Sequence, residues 1–245
     1  MIHDYIINKR KEHPLHFTLL DPGKTSPEVL IDLATQTAEA GTDCFLVGGS
    51  TDLSLEKVDA AVDVIKETTH LPVILFPTHA SSVSGRADAI FFMSLLNSES
   101  RQFLVGEQIA SARWVKKIGL EPLSMAYLVV EPGMAAGRVG QAQPLPRNDP
   151  DLVVSHALAG QYLGMNYIYL EAGSGASQPV PSEIIRAVKN EIDVLQIVGG
   201  GIRTPEAASE VVKAGADIVV TGTLVETSEK LKEDMSNLIK SIHSG

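Results

Sequence analysis

The chain has one cysteine, Cys44, among 245 residues. An intramolecular disulfide is therefore excluded, and so is any CxxC or multi-cysteine metal cluster. Such scarcity suits a reducing cytosol, so a cytoplasmic location is expected. Positive charge is also short: 20 Lys and Arg against 30 Asp and Glu leave a formal net charge of −10. Nucleic-acid binding needs a basic face, so no nucleic-acid partner is expected. Any anionic substrate must be gripped by local donors. No uninterrupted apolar run reaches the ~18 residues of a membrane span. Residues 1–11 are polar and charged and lack the apolar stretch of a signal peptide. What is present is an ordinary globular composition, 44% apolar and 20% charged. That is enough to bury a large core without covalent staples, in one domain spanning residues 1–245.

Short apolar runs alternate with longer amphipathic ones along the whole chain. The strand candidates are 15–20, 44–47, 72–76, 89–96, 124–130, 167–170, 194–198 and 218–221. They are rich in Val, Ile, Leu and Phe with little polar alternation, as expected of strands buried on both faces of a parallel sheet. A helix is expected over 27–40, with Ser26 as its cap and Pro27 in its first turn. Thr204-Pro205 repeats that start ahead of 206–214. Gly41, Gly119, Gly164 and Gly215 each end a helical stretch, where glycine supplies a left-handed cap. Between Phe76 and Ala89 the chain is too short and too rich in Ser and Gly for a regular helix. The expected fold is a (β/α)₈ barrel with its third helix missing or vestigial, which opens a groove in the wall; an open doubly wound sheet is the alternative. Residues 131–149 read as a long loop interrupted by Pro132, Gly133, Gly137, Gly140 and Pro144, a length usually reserved for function.

In barrel enzymes the chemistry sits just after the strands. Two glycine clusters follow the last two runs: Gly199-Gly200-Gly201-Ile202-Arg203 and Gly222-Thr223. Backbone amides there can form a nest for a phosphate. Beside them, Glu171-Ala172-Gly173-Ser174-Gly175 adds donors, and Glu171 is placed to accept a proton from a substrate hydroxyl. Its plainer role is a structural ion-pair or hydrogen-bond partner. Tyr169 is either substrate-lining or barrel core. Asp21 and Ser50 end the first two runs, and a carboxylate with a hydroxyl suits Mg²⁺. Alternatively Asp21 begins a turn before Pro22 and Ser50 caps a helix, with Asp52 as the other ligand. Phe91, Phe92, Met93, Met125, Tyr127 and Val129 read as core, some facing the groove. His79 and His156 read as structural, and Arg86, Arg138 and Arg203 as weak phosphate contacts.

These motifs resemble the geranylgeranylglyceryl phosphate synthase family and its bacterial heptaprenylglyceryl relatives. The matching stretches are LLDP at 19–22, AGTD-x-FLVGGS at 40–50, LLNS at 95–98, YLEAGSG at 169–175, VGGGIR at 198–203 and ADIVVTGT at 216–223. The resemblance implies a prenyltransferase joining geranylgeranyl diphosphate to the 3-hydroxyl of sn-glycerol 1-phosphate, the first ether bond of archaeal membrane lipids. It implies Mg²⁺ held by Asp21 and Ser50, and Glu171 acting on the glycerol hydroxyl. The backbone of Tyr169, Leu170, Glu171, Ala172, Gly173, Ser174 and Gly175, with Gly200, Gly201, Gly222 and Thr223, would hold glycerol phosphate. A homodimer or homohexamer, and transient contact with a membrane surface, go with that reading. Two positions depart from the pattern. Thr18, Leu19 and Leu20 stand where bacterial relatives carry a lysine that reaches the glycerol phosphate, and Arg138 stands where close archaeal relatives often carry an aromatic residue. Another phosphate-gripping barrel, an isomerase or lyase, explains the glycine loops equally well, but neither the Asp21/Ser50 pair nor the missing helix. A binding barrel without chemistry leaves Glu171 and Asp21 unexplained.

Overall fold

Eight parallel strands close into a barrel in sequence order, β1 pairing with both β2 and β8. The structure is a computed structural model that describes residues 1–49 and 53–245. The strands are β1 Leu15–Leu20, β2 Cys44–Gly48, β3 Val73–Phe76, β4 Ala89–Leu95, β5 Glu121–Val129, β6 Tyr167–Glu171, β7 Leu195–Gly199 and β8 Ile218–Thr221. The sequence places all eight, differing only by a few residues at some ends. Side chains do alternate, but both sides are apolar. Phe17, Leu46, Phe91, Met125, Tyr167, Ile197 and Ile218 fill the barrel interior. Leu20, Phe45, Ile90, Ala126, Ile168, Val198 and Val219 pack outward against the helices. Two-sided burial erases the polar half of the pattern.

The outer helices are α2 Pro27–Ala40, α3 Leu55–Thr69, α4 Glu107–Ile118, α6 Pro150–Tyr162, α7 Ser182–Glu191, α8 Pro205–Lys213 and α10 Leu231–His243. Short helices α5 Met134–Val139 and α9 Thr223–Thr227 sit in loops, and α1 Ile2–Arg10 precedes the barrel. Thr204 caps α8 by accepting from the Ala207 N–H. Ser26 stands at the cap of α2 but its side chain accepts no capping bond. The four glycines expected to end helices all take positive φ. α10 presents Leu231, Met235, Leu238, Ile239 and Ile242 to the core, an i, i+4, i+7, i+8, i+11 stripe.

Between β3 and β4 only a three-residue 3₁₀ turn, Ala80–Ser82, replaces a helix. The expected gap in the wall is there. The 131–149 segment is less loop-like than its glycines suggest, because α5 forms inside it and two isolated bridges, Ser98 to Ala142 and Val130 to Leu145, pin the stretch that follows. The polar N-terminal stretch folds as α1 and closes the lower end of the barrel. Its Ile6 is fully buried, and the Ile2 and His3 amides donate to the Glu121 carboxylate at 2.6 and 3.0 Å. Among the described residues, no helix is long and apolar enough to cross a membrane.

Candidate active site

Strand register brings the loops after β6, β7 and β8 together. The Gly175 N–H donates to Thr223 Oγ1 at 3.2 Å, and Ser174 Oγ lies 3.3 Å from the same hydroxyl. Gly200 packs against Glu171 and Gly173. A Cβ there would sit 2.5 Å from Glu171 Oε1 and 2.7 Å from the Gly173 nitrogen, and φ is +84°. Only glycine allows both the approach and the conformation. Among the described residues, the amides of Ser174, Gly200, Gly201 and Gly222 donate to no protein acceptor. Other amides of these loops are committed: Ala172 donates to the Gly199 carbonyl and Gly173 to Glu171 Oε1 at 2.6 Å. Of these four, Ser174 and Gly222 line the cavity that also holds Asp21 and Glu171, and unpaired amides on a cavity wall suit an anion.

Glu171 is buried at the end of β6. It also accepts from the Tyr127 hydroxyl at 3.0 Å. Burial raises its pKa above the ordinary carboxylate range, while the Gly173 amide and the hydroxyls of Tyr127 and Tyr169 pull it back down. The Tyr169 hydroxyl lies near the carboxylate without closing a hydrogen bond of good geometry. The Tyr169 ring stays in the barrel interior, packed edge-to-face with Tyr127 at 5.0 Å between ring centroids. Leu170 and Ala172 point outward into the helix layer. Of the residues 169–172, then, only Glu171 offers a side chain to the mouth of the barrel.

Asp21 lines the same cavity, from β1. It is 4% exposed, accepts from the Gly23 N–H at 2.9 Å and lies 3.7 Å from Lys24 Nζ. Its carboxylate occupies the space a Cβ at Gly49 would need, 2.2 Å from Oδ2. Ser50 and Asp52, the other proposed ligands, lie outside the described residues. Lys24, which also pairs with Glu226 at 3.2 Å, and Tyr127 are lining residues that sequence reasoning undervalued. The turn Asp21-Pro22-Gly23-Lys24 carried the signal for Lys24, since the tight turn folds the lysine back over the aspartate. Nothing in the sequence marked Glu226.

From this polar end the cavity runs along Phe76, Phe91, Phe92 and Met93, out through the gap beside Ala80 and Val83, to Phe103 and Val139. His79 lines it too, held by Glu107 at 3.2 Å. His156 sits away on α6, bonded to the Leu152 carbonyl one turn earlier. Arg86 is not a phosphate contact: it pairs with Asp59 and Asp63 on the outer surface. Arg138 is exposed on α5, and Arg203 is half-buried after Gly201; neither lines the cavity.

A polar pocket feeding an apolar groove through a wall that lacks its third helix is a specific geometry, and it has relatives. Residues 5–243 match the PcrB family. The chain belongs to that family. It is 52% identical over 244 residues, 98% of this chain and 97% of the other, to the geranylgeranylglyceryl phosphate synthase of Thermococcus kodakarensis. It is 53% identical to that of Pyrococcus furiosus, over 96% and 93% of the two chains. A crystal structure of (S)-3-O-geranylgeranylglyceryl phosphate synthase from Thermoplasma acidophilum with sn-glycerol-1-phosphate superposes with a TM-score of 0.95 at 45% identity, covering 98% and 97% of the chains.

Proposed function

We propose that this protein transfers a long prenyl group, geranylgeranyl, from its diphosphate to the 3-hydroxyl of sn-glycerol 1-phosphate. The observation that carries this is the continuity of the cavity. Ser174, Gly222 and two buried carboxylates, Asp21 and Glu171, line one end, and an apolar groove leaves through the opened wall. A barrel that isomerises small phosphates needs only the first half.

Each half has an assigned task. The amides of Ser174, Gly200, Gly201 and Gly222, with the Thr223 hydroxyl, hold the glycerol phosphate. Phe76, Phe91, Phe92 and Phe103 take the prenyl chain. The allylic C–O bond of the diphosphate breaks, a C–O bond to the glycerol oxygen forms, and pyrophosphate leaves. Glu171 orients the attacking hydroxyl and accepts its proton, and its raised pKa makes it a better base than an exposed carboxylate. Asp21 fits a divalent cation: it is buried at the cavity wall, and its carboxylate fills the space that Gly49 leaves open. Asp21 with Ser50 would hold Mg²⁺, which when bound neutralises charge on the departing pyrophosphate. Lys24 sits beside Asp21 to add a cation there. Assembly into a homodimer or homohexamer, transient contact with a membrane surface and a cytoplasmic location belong to the same proposal.

The test uses purified protein with Mg²⁺ and geranylgeranyl diphosphate. An ether product is expected with sn-glycerol 1-phosphate and little with the 3-phosphate enantiomer. Asp21→Asn is expected to lose turnover while glycerol phosphate still binds. Folded protein that makes no product with any of several prenyl lengths overturns the assignment.

A further inference from the structure

A second cluster of metal-ligand groups lies at the opposite end of the barrel. His13 sits between α1 and β1, Asp43 immediately before β2, and His243 at the end of α10. One ligand atom from each of these three side chains lies within 4.8 Å of the other two. The imidazole rings are 4.0 Å apart, centroid to centroid. His243 Nε2 is 3.0 Å from Asp43 Oδ2.

The surroundings favour a ligand set over a chance contact. His13 Nδ1 is 2.9 Å from the Pro14 carbonyl oxygen. A carbonyl only accepts, so Nδ1 carries the proton, and in the neutral ring Nε2 keeps its lone pair. Metal-bound histidines almost always have this arrangement, the second nitrogen donating to a carbonyl or carboxylate. Asp43 is 1% exposed. The His16 N–H fixes its Oδ2 at 2.8 Å, and Lys9 Nζ holds its Oδ1 at 2.8 Å. Two donors each ~2.1 Å from a tetrahedral zinc ion stand about 3.4 Å apart, so His243 Nε2 and Asp43 Oδ2, now 3.0 Å apart, need to separate by only a few tenths of an ångström to share one.

We propose that His13, Asp43 and His243 bind a transition-metal ion of the zinc type, with solvent completing the coordination. On binding, the proton now between His243 and Asp43 moves to His243 Nδ1, and Nε2 becomes the ligand. Two imidazoles and a carboxylate favour Zn²⁺ over Mg²⁺, which takes oxygen ligands. The site is separated from Asp21 by the length of β1, about 20 Å at ~3.3 Å per residue. It therefore takes no part in prenyl transfer. Its three ligands come from the connection after α1, the foot of β2 and the last turn of the chain. The ion ties these together and clamps the terminal helices to the barrel floor.

The experiment uses untagged full-length protein, stripped with a chelator and titrated with ZnCl₂, alongside MgCl₂. One Zn²⁺ per chain is expected to bind. At about a hundredfold excess over Kd the thermal midpoint should rise by about 5 °C, and Mg²⁺ should not reproduce the rise. Co²⁺ in place of Zn²⁺ should give the visible d–d absorption of a low-coordinate site. His13→Gln and His243→Gln should each weaken Zn²⁺ binding at least tenfold, while Asp21→Asn should leave it unchanged. His13 is half-buried and, among the described residues, its ring hydrogen-bonds the Pro14 carbonyl alone, so His13→Gln decides the matter if His243→Gln misfolds. Absence of saturable one-to-one uptake, or uptake that survives His13→Gln or disappears with Asp21→Asn, overturns the proposal.

Discussion

Glu171 at the mouth of this barrel and the buried aspartates at its lower end are treated in opposite ways. At the lower end, Asp217 is held by Arg10 at 2.9 Å, Lys189 at 2.6 Å and the Gln196 N–H at 2.8 Å. Asp43 is likewise shared among Lys9, His16 and His243. At the mouth, no cation among the described residues touches Glu171. Its partners are an amide and a hydroxyl, and its pKa rises. The Asp43 carboxyl, though buried as well, is held below its ordinary range because its hydrogen bonds and Lys9 outweigh burial. Paired charge anchors the fold. Charge left without a counterion is available to a substrate, and the fold bears the cost.

The contrast is broken most directly by Glu171→Gln. Turnover should fall about a thousandfold, within the range expected for losing a general base. Stability should hold or rise. The folded pKa of Glu171 lies above its unfolded value, so the folded state loses stability as pH rises through that pKa, and at neutral pH the ionised group is a burden. Steady-state kinetics and thermal melts on one preparation measure both. A large loss of stability would mean that Glu171 is a structural partner. The opposite result is expected at the other end. Asp217→Ala should cost about 3 kcal/mol in denaturant unfolding, because it strands Arg10 and Lys189. Turnover per folded molecule should change little. A cost under about 1 kcal/mol would class the lower end with ordinary surface pairs.

The same contrast explains what could be read from the sequence. The mouth was legible because its chemistry is written in residue types that few other roles demand: glycines at positive φ after β7, and a carboxylate at the end of an apolar run. The missing helix was legible because twelve residues, 77–88, cannot hold a helix and two loops. The lower end was not legible. Residues 1–11 look like a solvated charged segment, and only the closed barrel shows that Ile6 plugs its floor while the Ile2 and His3 amides meet Glu121 and Lys9 and Arg10 meet Asp43 and Asp217. Those pairs join residues separated by up to 207 positions, and no local pattern encodes them. Arg86 illustrates the converse error. A lone arginine near the wall gap invites a phosphate, but α3 supplies Asp59 and Asp63 first. The short helix α5 escaped for a related reason: glycine lowers helix propensity, yet a Cβ at Gly140 would lie 2.3 Å from Leu95, so packing at the end of that helix demands glycine and overrides the preference.

The gentlest probe of the lower end is pH. His16 is fully buried on β1, its Nδ1 3.0 Å from Thr42 Oγ1 and its Nε2 2.9 Å from Thr221 Oγ1. Burial pushes its pKa down to about 3, against a partial lift from Asp43. The folded state therefore keeps a neutral ring while the unfolded chain takes up a proton below its ordinary value near 6.5. Stability from this group is fully present above pH 6.5 and is lost as pH falls toward 3. Between pH 7 and pH 5 the loss should be about 2 kcal/mol, at 1.36 kcal/mol for each unit below the unfolded pKa. Most carboxylates are still ionised at pH 5, so the change reports mainly on histidine. His16→Gln should flatten the slope of unfolding free energy in that window, whatever its absolute stability. If the slope persists in His16→Gln, the acid sensitivity lies elsewhere, and the contact between His243 and Asp43 at the same end becomes the group to vary next.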